Sequence, residues 1–143
     1  FVEMLPDSSV LISLNIKYVE DIDIVSMLDA INERIEYLFD REHTIGHAYF
    51  KPLAEDPILD RLAEIFKNAI IPLLQEYFYD DYSKIQLVLG HNAKTDDKYK
   101  FILDDYIKVK GVFKGNPDID LPEKKYTIQT EAFYCSESYK QIY

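Results

Sequence analysis

DIVSMLDAINERIEYLF, residues 23–39, decides the fold class of this chain. Ile24, Met27, Leu28, Ile31, Ile35 and Leu38 recur at the spacing of one helix face, while Asp29, Asn32, Glu33 and Glu36 take the opposite side. Asp21 or Asp23 is placed to accept from the exposed amides of the first turn. The stretch therefore reads as an amphipathic helix, and its Met and Leu stripe as core.

The next residues, DREHTIGHAYF at 40–50, connect that helix to a second helical block and carry His43 and His47 on either side of Gly46. A glycine between elements allows a tight turn or a close approach of backbone to a ligand, and histidine can donate, accept or titrate near neutrality. The alternative is a plain connector whose histidines are incidental. Beyond it, Asp56 and Pro57 read as N-cap and first helical residue, with Ile58, Leu62, Ile65, Phe66 and Ala69 forming one face. Pro72 predicts a kink or an end near Ala69, and a further helix follows through Leu73, Leu74, Tyr77 and Phe78. A short third helix fits Tyr82, Ile85, Val88 and Leu89, stopped by Gly90 in the left-handed conformation.

The character then changes. Residues 91–100 read as a polar loop. Short β-like segments follow at 101–103, 107–109 and 126–128, separated by Gly111, Gly115-Asn116-Pro117 and Pro122, which predicts a small antiparallel sheet or ribbon. Residues 130–143 place Ala132, Phe133, Tyr139, Ile142 and Tyr143 for one or two helical turns that dock back on the bundle. At the other end, FVEML alternates like the end of a strand before Pro6 and Asp7 stop it; residues 8–18 have no decisive period.

Composition bounds the function. With 26 acidic against 16 basic residues and a net charge of −10, the chain repels phosphate backbones, so direct nucleic-acid binding is not expected. The single Cys135 can form no internal disulfide, and nothing approaches the roughly 18 apolar residues of a membrane span, which points to a cytoplasmic chain without membrane contact. Glu55, Asp56, Glu76, Asp80 and Asp81 read as solvated helix faces rather than metal ligands. Cys135 beside His43, His47 or His91 lacks an activating context, and Lys108, Lys110 and Lys114 read as an exposed strand face. No phosphate-binding glycine loop is present. These residues alone give a mainly α domain without an assigned chemistry.

The phrases FVEMLPD (1–7), MLDAINERIEYLFDREHTIGHAYF (27–50), IFKNAIIPLLQEYFYDDYSKIQLVLG (65–90) and YTIQTEAFYCSESYKQIY (126–143) together resemble the C-terminal portion of the McrB family, AAA+ GTPase subunits of 5-methylcytosine-specific restriction systems. The Walker A loop, the Walker B acids, sensor 1 and the arginines that precede the FVEM-like strand in that family are absent from the chain. The resemblance implies an AAA+ helical lid bundle with a small antiparallel β element near the C-terminus. Residues 1–18 would be the final strand and connector of a nucleotide-binding core, and residues 19–143 the lid. The start at Phe1, without a methionine, fits a piece of a longer protein.

The loop after the first lid helix lies about where AAA+ proteins put their sensor 2 group, which turns His43, Thr44, Ile45, Gly46 and His47 toward bound GTP. No residue matches a sensor arginine by motif; Arg41 is the nearest by position. The resemblance further implies GTP and magnesium in the intact protein and no cofactor in this piece. Its partners would be the rest of its AAA+ module, neighbours in a hexameric ring and an McrC-type nuclease, with DNA targets read by a separate domain. Two other readings stand beside it: a protein-interaction module with no nucleotide contact, and the lid of an ATP-dependent AAA+ remodelling protein.

Because the chain carries none of the groups that cradle phosphates or hold magnesium, a clean preparation is expected to hydrolyse neither GTP nor ATP. Phosphate release is the measurement; turnover abolished by a substitution within the chain contradicts the lid reading.

Overall fold

Tyr18–Val19 (β1) and Ile22–Asp23 (β2) pair antiparallel, Val19 opposite Ile22, with both of those side chains buried. Glu20 and Asp21 between them have φ of 45° and 69°, the mirror-image turn whose twist matches paired strands. A turn of this kind usually announces itself by Asn-Gly or Asp-Gly, and Glu-Asp does not. The computed structural model describes residues 18–79, 81–94, 96–106 and 124–143. The strand expected at 1–5, the segments and glycine turns of 107–117, Pro122 and the lysines at 108, 110 and 114 lie outside those residues.

The hairpin feeds directly into α1, Ile24–Leu38. Of the two capping candidates it is Asp23 that acts, accepting from the Ser26 amide at 3.0 Å. Ile24, Met27, Leu28, Ile31 and Ile35 are buried as the periodicity predicts. Asn32 is the exception: expected on the polar face, it is 7% exposed. Phe39 ends the helix with its backbone turned to φ −133°, ψ −93°.

The second block departs from expectation in two places. Helix α2 runs Leu59–Ile65, so Asp56 is not its cap and Pro57 is not its first residue. The Ile58 amide is engaged by the Asp56 carbonyl at 2.9 Å, which holds residues 56–58 in a turn, and the Asp56 carboxylate meets Arg61 at 3.3 Å instead. Ile58, expected in the core, is 46% exposed as a result. Nor does Pro72 break the chain's helical course. A π turn over Phe66–Ile70 joins α2 to α3, Ile71–Tyr77. Proline lacks an amide and crowds the carbonyl four residues back; i→i+5 bonding opens the ladder ahead of it, so the rod continues. The wider turn also shifts the buried face: Ala69 is half-exposed, and Ile70 and Ile71 are buried.

Helix α4, Tyr82–Val88, ends as predicted at Gly90, whose φ is 73°. A Cβ there would lie 3.0 Å from the Gln141 carbonyl oxygen and 3.3 Å from Ile142 Cα, so both backbone angle and space require glycine. The predicted loop after it contains two 3-10 turns, His91–Ala93 and Asp97–Tyr99. Strand β3, Ile102–Tyr106, pairs antiparallel with β4, Lys124–Ile128, Ile102 opposite Ile128. Phe101, expected in the strand, precedes it and is fully buried.

A 3-10 turn at Thr130–Tyr134 and a short helix α5, Ser136–Lys140, then return the chain to the bundle. Ala132, Phe133, Tyr139 and Ile142 are buried, and the Tyr143 hydroxyl accepts from the Asp23 amide at 2.9 Å. Phe66 and Phe101 pack at 5.6 Å between ring centroids, and both meet Tyr139. The architecture is a mainly α bundle with a small antiparallel sheet toward the C-terminus. Among the described residues no helix is long and apolar enough to cross a membrane.

Ile31 is fully buried and Ile58 nearly half-exposed. Ile31→Ala is expected to cost about 2 to 5 kcal/mol and to lower the melting temperature visibly, whereas Ile58→Ala should stay within about 0.5 kcal/mol of wild type. Thermal melting of the two variants side by side checks the facing of α1 and the corrected start of α2.

Candidate functional site

The turn between α1 and the second block is built by its own polar side chains. Asp40 is extended, and its Oδ1 accepts from the His43 amide at 2.8 Å, capping the 3-10 turn Arg41–His43. The same oxygen lies 2.6 Å from His43 Nδ1. A carboxylate can only accept, so Nδ1 carries the proton and Nε2 is left to accept when the ring is neutral. Hydrogen bonds from His43 hold the Asp40 carboxyl below the usual carboxylate range. The imidazole stacks on Phe39 at 4.1 Å and stands edge-on to Tyr77 at 5.0 Å. Burial, with Tyr49, Glu76 and Asp40 adding negative charge, raises the Tyr77 hydroxyl above its ordinary value.

The middle of the turn points inward. Thr44 donates its hydroxyl to the Arg41 carbonyl at 2.9 Å. Ile45 is fully buried, and both of its backbone groups are met by one side chain: its amide donates to Asn32 Oδ1, and its carbonyl accepts from Asn32 Nδ2 at 2.8 Å. Gly46 has φ −74° and ψ 152°, a conformation open to any residue, so the freedom expected of this glycine is not used. His47 begins a 3-10 segment, His47–Ala54, that buries Phe50 and Leu53; its Nδ1 is buried and has no partner. Arg41 is exposed.

The sequence-derived set thus forms one turn. Thr44, Ile45 and Gly46 lie in its buried centre, while Arg41, His43 and His47 sit where at least part of each ring or guanidinium reaches the surface. Asn32, which the sequence reading put on the polar face, is what holds this turn to α1. A signal for it existed: Leu28, Asn32 and Ile35 are spaced by four and three residues, which puts the amide on the apolar stripe.

Cys135 and His91, also weighed for chemistry, make structural contacts. Cys135 Sγ lies 3.6 Å from the Glu131 carbonyl oxygen. His91 is buried and its Nε2 accepts from the Ile102 amide at 3.2 Å, tying α4's exit to β3. Burial first, and Lys94 second, push His91 down to about 3. Lys94 is itself buried, donates to the Tyr99 carbonyl at 2.7 Å and lies 4.3 Å over the Phe101 ring. Burial, then Lys100 and Arg34, lower it to about 7.

For His91 the folded value lies below the roughly 6.5 of an unfolded histidine, so the unfolded chain binds the proton first. The stability carried by the neutral ring is complete above about pH 6.5 and is lost as pH falls toward 3. His91→Gln removes that titration. The gap in melting temperature between wild type and His91→Gln is therefore expected to narrow steadily from pH 6.5 to 3.5; a gap that stays constant over this range contradicts the buried neutral histidine.

Residues 23–86, from the capping aspartate of α1 into α4, match the family model McrB, alpha-helical lid domain. No curated protein matches the chain.

Proposed function

From the match of residues 23–86 to the McrB alpha-helical lid domain, we propose that this chain is the lid of a McrB-like AAA+ GTPase. In this reading it closes over the nucleotide and couples GTP binding and hydrolysis to movement of a ring in modification-dependent DNA restriction. The observation that carries the proposal is the match itself, which spans α1, the 40–47 turn and the rod of α2 and α3.

A lid contributes to phosphoryl transfer by contacting the triphosphate and diphosphate states differently and converting that difference into rotation. Two features of the turn suit such work. It is braced on α1 through Asn32 and Ile45, so a displacement at its surface moves the helix with it. His47 is only partly buried, so its ring can meet a ligand brought against the turn. In this reading magnesium and the hydrolytic groups belong to the rest of the AAA+ module. The ring neighbours, a hexamer in this reading, and the McrC-type nuclease are further partners of the intact cytoplasmic protein.

If His47 bonds the nucleotide, His47→Ala in the intact protein is expected to weaken GTP binding or its coupling to hydrolysis by about 1.5 to 3 kcal/mol, the worth of a hydrogen bond to a charged group. The melting temperature of the present chain should scarcely change. Several degrees lost by the chain, with normal GTP affinity and turnover in the intact protein, would make His47 a packing residue and remove the turn from the nucleotide.

A further inference from the structure

Helix α1 and the rod of α2 and α3 end against each other. Phe39 is the C-cap of α1 and Phe78 that of α3, and their rings lie 5.9 Å apart. The last carbonyls of a helix carry partial negative charge, which a Lys or Arg in the final turn offsets. Neither helix has a basic residue there. Two carboxylates add to the charge: Asp40 directly after Phe39, and the exposed Glu76 in the last turn of α3, both close enough to act on the Tyr77 hydroxyl. Arg41 is followed by Glu42, and residues 40–43 carry no net positive charge even when His43 is protonated.

The surface over these ends is aromatic. Phe39 is 38% exposed and Tyr49 40%, and Tyr77 is half-buried. Tyr79 is the informative residue. It is 88% exposed and holds a φ of 50°. A bulky side chain is strained in that region, and a left-handed residue just past a helix is ordinarily glycine. Strained backbone here presents a large ring to solvent, one residue beyond the contact between Phe39 and Phe78. Ring faces attract a cation and carboxylates pair with it, and the chain as a whole carries 26 acidic residues against 16 basic. Rings, carboxylates and helix ends thus agree in sign.

We propose that this surface docks a basic segment of a partner protein, whose Arg or Lys side chain lies against the Tyr77 and Tyr79 rings with its charge met by Asp40 and Glu76. A long basic side chain suits both parts of the surface, since its stem covers ring while its head stays with the carboxylates. The same charges turn away an acidic segment. The contact involves no nucleotide, so it stands or falls separately from the lid reading.

The test is selection of a phage-displayed library of short random peptides on the chain, followed by NMR titration of the chain with the synthetic winners. Enriched peptides are expected to share an Arg or Lys and to shift the amides of Phe39, Asp40, Tyr77 and Tyr79. Replacing that basic residue by glutamine should weaken binding about tenfold, the combined effect of a lost ring contact and a lost ion pair. Tyr79→Gly separates docking from folding, because the two move in opposite directions. Glycine relieves the left-handed backbone, so the melting temperature is expected to hold or rise, while peptide affinity falls by about threefold or more with the ring gone. Glu76→Gln, at an exposed position, should weaken binding in the same sense. No enrichment, winners without a basic residue, equal affinity of the glutamine peptides, undiminished binding by Tyr79→Gly, or shifts confined to another face each overturn the proposal.

Discussion

Both backbone groups of Ile45 are buried and are satisfied by a single side chain thirteen residues earlier, the carboxamide of Asn32. A carboxamide offers one acceptor and two donors side by side, so it can stand in for the neighbouring strand that a buried extended residue would otherwise need. Leaving either group unpaired would cost about 1 to 3 kcal/mol. Much follows from this contact. It sets where the chain leaves α1, which lays His43 against Phe39 and Tyr77, and it directs residues 47–54 so that Phe50 reaches Phe66 in the core.

Helix α1 was legible because its signals agree: a capping aspartate, six apolar residues at helical spacing and a polar opposite face. Gly90 was legible for a similar reason, since a glycine one step past a periodic segment has few other readings. Where local and tertiary demands diverge, the sequence misleads. Asp56-Pro57 has the chemistry of a helix start, yet the Ile58 amide is satisfied by a turn, and the helix begins at Leu59. Pro72 has the chemistry of a break, yet the π turn ahead of it absorbs the missing bond. Gly46 suggests an unusual backbone and has an ordinary one, while the Glu20-Asp21 pair adopts positive φ without any glycine. The candidate turn was found through its histidines, but which of its residues face the interior was decided by Asn32, a residue read as solvated.

The family match ends at Gln86, but the packing does not. Phe66, in the middle of the matched segment, rests on Phe101 and Tyr139, and Tyr139 donates its buried hydroxyl to the Phe133 carbonyl at 2.7 Å. Gln86 itself donates to the Ile102 carbonyl. The C-terminal turns are therefore structural members of the bundle, and the aromatic cluster they complete is the part of the core most dependent on residues far apart in sequence.

Helices α2 and α3 with the π turn between them form one rod from Leu59 to Tyr77, on the order of 25 Å long. A rod of that kind behaves as a lever. Its far end carries Tyr77, edge-on to His43, with Phe78 directly beyond against Phe39; its near end follows the turn at Asp56. Between the two ends the i→i+4 ladder gives way to wider i→i+5 bonding over residues 66–70. A bend of the rod would find its least regular bonding at residues 66–70, and because Phe66 and Ile70 are buried there, it would fall inside the core instead of at a solvent-exposed hinge.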